Sequence, residues 1–151
     1  MSSIARRRPL AAWTLGWIVL ALLLVLSALP AGAQEDERSR SWNQPVEPFR
    51  IVGNLYYVGA SDVTAFLLAT PEGHILLDGG FVETAPLIRD SIRKLGFRLE
   101  DVEILLSSHA HMDHAGGLAA LKAWSGATFL ASAGDLAMLA AGGTGDFRFG
   151  D

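Results

Sequence analysis

The chain contains no cysteine. That excludes disulfide bonds and any anchor through a lipid-modified cysteine. Histidine is scarce, with four in 151 residues. Positive charge is scarce after residue 33: nine Lys and Arg stand there against all 16 Asp and Glu, a formal charge of −7. There is no basic stripe and no interleaving of aromatic with basic residues. An acidic body of this kind argues against nucleic acid or an anionic membrane surface as a partner. No internal repeat is found.

What is present begins with an export pattern. Arg6, Arg7 and Arg8 form a charged start, Leu15 to Leu29 an apolar run, and Ala31-Gly32-Ala33 a set of small residues for cleavage. The expectation is a signal peptide over residues 1–33, cut after Ala33, and a periplasmic or secreted mature protein. An uncleaved anchor is the competing reading, because Ala11–Ala33 is just long enough to span a bilayer. The small residues stand where a signal peptidase needs them, which favours cleavage. Pro9 and Ala11 make Arg7-Arg8 a poor twin-arginine match. Membrane contact is therefore expected only through this segment.

Residues 34–48 are polar, with Pro45 and Pro48, and read as an extended lead-in. From Phe49 the pattern becomes regular. Phe49–Val52 and Leu55–Val58 are β-rich runs split by Gly53-Asn54, a hairpin-type turn. Val63–Ala69 predicts a third strand. Thr70-Pro71-Glu72-Gly73 predicts a turn, and His74–Asp78 a returning strand whose Ile75-Leu76-Leu77 looks buried on both faces. Then the period changes. Leu87, Ile88, Ile92 and Leu95 repeat at helical spacing, with Pro86 in the first turn and Gly96 past the end. Val102–Leu106 is a strand that runs into Ser107–Gly117, "SSHAHMDHAGG". Gly117–Trp124 predicts a helix with Leu118, Leu121 and Trp124 on one side. Ala127–Ala131 predicts a strand and Asp135–Ala141 a helix. This order implies an α/β (α+β) fold, a mixed β-sheet flanked by helices. Helices are available for only one sheet face, and no closing element follows, so part of a larger fold is expected.

Three of the four histidines fall within six positions: His109, His111 and His114, with Asp113 before the last. A short loop leaving a buried strand is a rigid place from which to project ligands. His109 and His111, two apart, point to the same side in extended backbone. Imidazole suits zinc, and a catalytic zinc takes three protein ligands while keeping one position open. Asp113 and His114, out of phase with that pair, can serve a second ion nearby. A lone histidine is more often structural, and His74, at a strand start after a turn glycine, is read that way. Three histidines and a carboxylate in H-x-H-x-D-H are hard to explain by solvation. Gly116 and Gly117 are read as letting the chain turn tightly. Asp78, in "LLDGG", stands between two readings: a turn aspartate, or a carboxylate that orients a ligand histidine.

H-x-H-x-D-H after a strand, with "LLDGG" upstream, resembles the metallo-β-lactamase superfamily. "SWNQPVEPF", "VTAFLLATPEGHILLDGG", "TAPLI", "DVEILLSSHAHMDHAGG" and "FRFGD" resemble its subclass B3 zinc β-lactamases, over about residues 41–151. The resemblance implies an αββα sandwich, of which residues 49–151 would be the N-terminal part. It implies two zinc ions, the first on His109 and His111, the second on Asp113 and His114. It favours the orienting role for Asp78. It sets Trp42 beside the substrate cleft, where simple surface packing is the alternative. The implied reaction is opening of a small-molecule β-lactam by metal-activated hydroxide, with Asp113 also orienting the nucleophile. Each zinc in this family takes a further histidine from later in the chain, and none follows His114. The expectation is therefore a truncated, inactive fragment of such an enzyme. Another hydrolase of the superfamily, a thioesterase or lactonase, is the second reading, and a non-catalytic metal-binding module the third.

Overall fold

The computed structural model describes residue 37 and residues 39–146. The expected signal segment and "FRFGD" lie outside the described residues. Among the described residues no helix is long and apolar enough to cross a membrane.

Six strands form one sheet in chain order: β1 Phe49–Val52, β2 Leu55–Tyr57, β3 Phe66–Leu68, β4 His74–Leu77, β5 Val102–Leu106 and β6 Thr128–Leu130. β1 to β4 pair antiparallel, whereas β4, β5 and β6 pair parallel. The connections dictate this change. Gly53, at φ +55, and the turn closed by the Gly73 N–H on Thr70 O (3.3 Å) permit hairpins. A parallel neighbour needs a crossover, which helix α1 (Thr84–Lys94) supplies between β4 and β5. Helices α2 (Met112–Ala115) and α3 (Leu118–Ser125) lie between β5 and β6, and α4 (Leu136–Ala140) follows. The mixed sheet with flanking helices agrees with the sequence.

The core follows from strand register. Tyr56, Leu67, Leu76, Leu105 and Phe129 are cross-strand partners in one row. They join a cluster with Ile88 and Ile92 of α1 and Leu118 and Leu121 of α3. Burying Leu67, Leu76, Ile88, Ile92, Leu105 and Leu121, each fully enclosed, contributes about 1.5–3 kcal/mol per side chain. The alternate positions Ile75, Leu77, Ile104 and Leu106 face the other way and are only half-buried. Ile75-Leu76-Leu77 is thus not buried on both faces as expected, since the described helices cover one.

Three local expectations change. β3 is shorter than Val63–Ala69: the Val58 N–H still donates to Ala65 O, but the Ala60 N–H closes onto Val63 O at 2.8 Å and ends the ladder in a turn. Trp124 leaves the apolar side of α3 and is 41% exposed, with the Arg89 guanidinium 5.1 Å from its ring centre. Each three-residue step falls about 60° short of a full turn, so a third residue at that spacing has rotated off the stripe. The lead-in is helical over residues 39–42 rather than extended throughout, and Pro48 is buried.

Candidate metal centre

Parallel pairing of β4 and β5 sets their carboxyl ends on the same edge, with Leu77 beside Leu106. The next residues, Asp78 and Ser107-Ser108, therefore leave the sheet together. Asp78 adopts φ +63, a left-handed conformation that aspartate tolerates better than most residues. Its N–H donates to Leu106 O at 2.9 Å. Its buried carboxylate gathers three donors: Ser108 N–H on Oδ1 at 2.7 Å, the Ser108 hydroxyl on Oδ2 at 2.8 Å, and His114 Nδ1 on Oδ2 at 2.9 Å. Both readings of Asp78 meet in one residue, which turns the chain and holds an imidazole.

His109, His111 and Asp113 come together, each offering a ligand atom within 4.8 Å of the others. His111 is extended (φ −64, ψ 148) at the start of α2, and its ring centre lies 4.6 Å from that of His109. The helical turn of α2 then carries Asp113 back toward that pair. The His114 ring lies 4.0 Å from the His109 ring, and its Nε2 is 3.7 Å from Asp113 Oδ2. Asp113 thus lies within reach of His109 and His111 as well as of His114.

The donor set fits zinc: imidazole nitrogens with a carboxylate, on one side of the strand ends. A second observation supports the fit. Asp113 Oδ1 is buried and has no hydrogen-bond partner among the described residues. Burial of an unpaired carboxylate oxygen is costly, and a cation removes that cost. The His111, Asp113 and His114 side chains remain 21%, 22% and 24% exposed, so the cluster opens on one side.

Two glycine pairs lock the loops that carry these residues. Gly79 N–H donates to His114 O at 2.7 Å, and Gly117 N–H to Gly80 O at 2.9 Å. A Cβ on Gly117 would stand 2.2 Å from Gly79 O, and one on Gly79 would stand 2.8 Å from Leu118 N. Gly116 and Gly117 have ordinary negative φ. Their role is close crossing of two backbones, not the tight turn expected from sequence.

Two residues at the centre were missed by sequence reading. Ser108 contacts Asp78, His109 and His114 through one hydroxyl; its place just before the first histidine was the available signal. Asp146 is buried, with Oδ1 3.7 Å from His111 Nε2. It lies 32 residues beyond His114 in a glycine-rich stretch that no pattern marks. Trp42 packs, partly buried, on Ala60, Val63 and Phe81. Phe81 belongs to the loop after Asp78, and Asn43 Oδ1 accepts the Thr84 hydroxyl at 2.7 Å at the same place. His74 sits at the opposite end of β4, with Nδ1 accepting the Thr70 N–H at 3.3 Å and its ring edge-on to Phe97.

A family model described as the metallo-beta-lactamase superfamily matches residues 58–150. Among solved structures the chain is similar to MEM-A1, a subclass B3 metallo-beta-lactamase from a soil metagenome library. Identity is 54%, with 65% of this chain and 37% of that one covered, at TM-score 0.64. It is also similar to a Cronobacter sakazakii metallo-beta-lactamase, at 44% identity over 82% of this chain and 43% of that one, TM-score 0.74. A further relative is an N-acyl homoserine lactonase of Bacillus cereus, 32% identical over 112 residues, 59% of this chain and 42% of the relative. The chain thus spans about two fifths of the length of these relatives.

Proposed function

The chain belongs to the metallo-beta-lactamase superfamily, and from that premise we propose that it is the zinc-holding part of a hydrolase that opens β-lactam rings. The observation that carries this reading is the convergence of His109, His111 and Asp113 beside His114 at the carboxyl ends of parallel strands. The subclass comes from MEM-A1, at 54% identity. The site is read as holding two zinc ions, with His109 and His111 on one, Asp113 and His114 on the other, and further donors from outside these four. The pattern of residues 1–33 supports delivery to the periplasm or beyond.

A bound zinc supplies Lewis acidity, which polarises a carbonyl and makes water nucleophilic near pH 7. The protein's own groups divide the remaining work. Asp113 has two carboxylate oxygens, one to ligate and one to orient a water molecule and take its proton. Asp78 holds the His114 ring in place. The glycine crossing keeps both loops in register. Water adds to the lactam carbonyl carbon, the C–N bond breaks, and a proton ends on the departing nitrogen.

The lactonase relative supports a second reading, hydrolysis of a lactone ester by the same centre. The protein expressed from its whole gene and loaded with zinc separates the two. Turnover of nitrocefin is expected. Hydrolysis of an N-acyl homoserine lactone with no action on nitrocefin would replace the first reading by the second.

A further inference from the structure

We propose that Ser108 is a positioning residue that fixes which nitrogen His109 presents to metal. The inference deepens the zinc reading and rests on it for its consequence, though not for its geometry. Ser108 Oγ lies 2.8 Å from Asp78 Oδ2, 3.1 Å from His109 Nδ1 and 3.2 Å from His114 Nδ1. A hydroxyl has one proton to donate and lone pairs with which to accept. A carboxylate oxygen can only accept, so the Ser108 proton goes to Asp78 Oδ2. His114 Nδ1 is nearer to Asp78 Oδ2, at 2.9 Å, than to the hydroxyl, and donates there. That leaves the hydroxyl oxygen to accept from His109 Nδ1–H.

The consequence is chemical. With Nδ1 carrying the proton, His109 offers the lone pair of Nε2 as its ligand atom. The same hydroxyl couples His109 to Asp78, and through Asp78 to His114. One small side chain thereby sets the tautomer of one histidine and ties it to the carboxylate that sets the other. A serine before the first histidine is the right size for this, since its oxygen must reach back to Asp78 and forward to His109.

Ser108→Ala is a clean test because the Ser108 backbone N–H still donates to Asp78 Oδ1. The carboxylate keeps that anchor and loses only the hydroxyl. Ser108→Thr restores a hydroxyl at the same atom. Two measurements are made. The imidazole nitrogen-15 spectrum of the zinc-free protein reads the tautomer of His109 without any metal. Competition against a chromophoric chelator reads zinc affinity. The parent protein and Ser108→Thr are expected to hold His109 protonated on Nδ1. Ser108→Ala is expected to give a mixture of tautomers and a zinc affinity about 10–100-fold weaker. An unchanged His109 tautomer in Ser108→Ala overturns the inference, as does unchanged affinity in a parent protein that binds zinc. A parent protein that binds no zinc defeats the proposed function instead, while the tautomer result still decides the role of Ser108.

Discussion

Asp78 and His114, 36 residues apart in the chain, meet with carboxylate Oδ2 2.9 Å from ring Nδ1. The contact depends on parallel pairing of β4 with β5, which brings both strand ends to one edge. It depends also on φ +63 at Asp78, which turns the chain there. Sheet topology thus reaches the candidate site through the Asp78 carboxylate.

Asp78→Asn tests that link. Asparagine tolerates a positive φ about as well as aspartate, so the backbone is spared. The carboxylate is replaced by an amide with one acceptor oxygen for three donors. Zinc affinity is expected to fall about 10–100-fold, as for other partners of ligand histidines. Chelator competition reads it, and an affinity equal to the parent's would make the contact incidental.

The donors themselves are expected to separate from His74. His109→Ala and His111→Ala should strip zinc from the first site and nearly abolish any hydrolysis by the whole-gene protein. Asp113→Asn should cost rate even where metal remains, because the residue also handles the nucleophile. His74→Ala removes one backbone hydrogen bond and an edge-on ring contact at the far end of β4. It should cost about 1 kcal/mol of stability and leave zinc content unchanged. Bound zinc and nitrocefin turnover are measured together, and near-normal turnover in His111→Ala would sink the assignment.

The glycines offer a comparison between space and backbone angle. Gly117→Ala drives a methyl group against Gly79 O, 2.2 Å away, where backbone faces backbone. It should destabilise by about 1–3 kcal/mol or more, as overpacking does, and should weaken zinc binding. Gly53→Ala meets nothing within 4 Å but keeps φ +55. Its cost is about 1–2 kcal/mol of left-handed backbone, with zinc binding intact. Urea unfolding and zinc titration of both variants check the pair.

Much of this architecture is legible in the residues because local signals agree. Gly53, Pro71-Glu72-Gly73 and Gly96 mark their turns and helix end by conformation alone. The row Leu67, Leu76 and Leu105 was legible as core, but Ile75 and Leu77, read as buried on both faces, are half-buried. That depends on what covers the second sheet face. The H-x-H-x-D-H stretch marked the residues whose side chains the structure brings together. It did not show that Asp113 reaches His109 and His111 as well as His114, because a single turn of helix at α2 decides that. Asp146 and Ser108 escaped notice for one reason: a partner contact across the fold leaves no periodic trace.

Residues 34–151 produced alone supply a last test. His109, His111, Asp113 and His114 are four donors, enough for the three ligands of one catalytic zinc but not for two such ions. Metal held by fewer ligands contributes less free energy to folding. The half-buried face bearing Ile75, Leu77, Ile104 and Leu106 adds an apolar surface that favours association. Leu130, paired with Leu106 in that row, adds to it at 47% exposed. The expected behaviour is weak zinc binding, self-association at micromolar concentration, and no nitrocefin turnover beyond that of free zinc. Metal analysis, light scattering and a nitrocefin assay on one preparation decide it. A monomer that kept two zinc ions and turned over nitrocefin would show that these donors suffice and that none is needed from outside them.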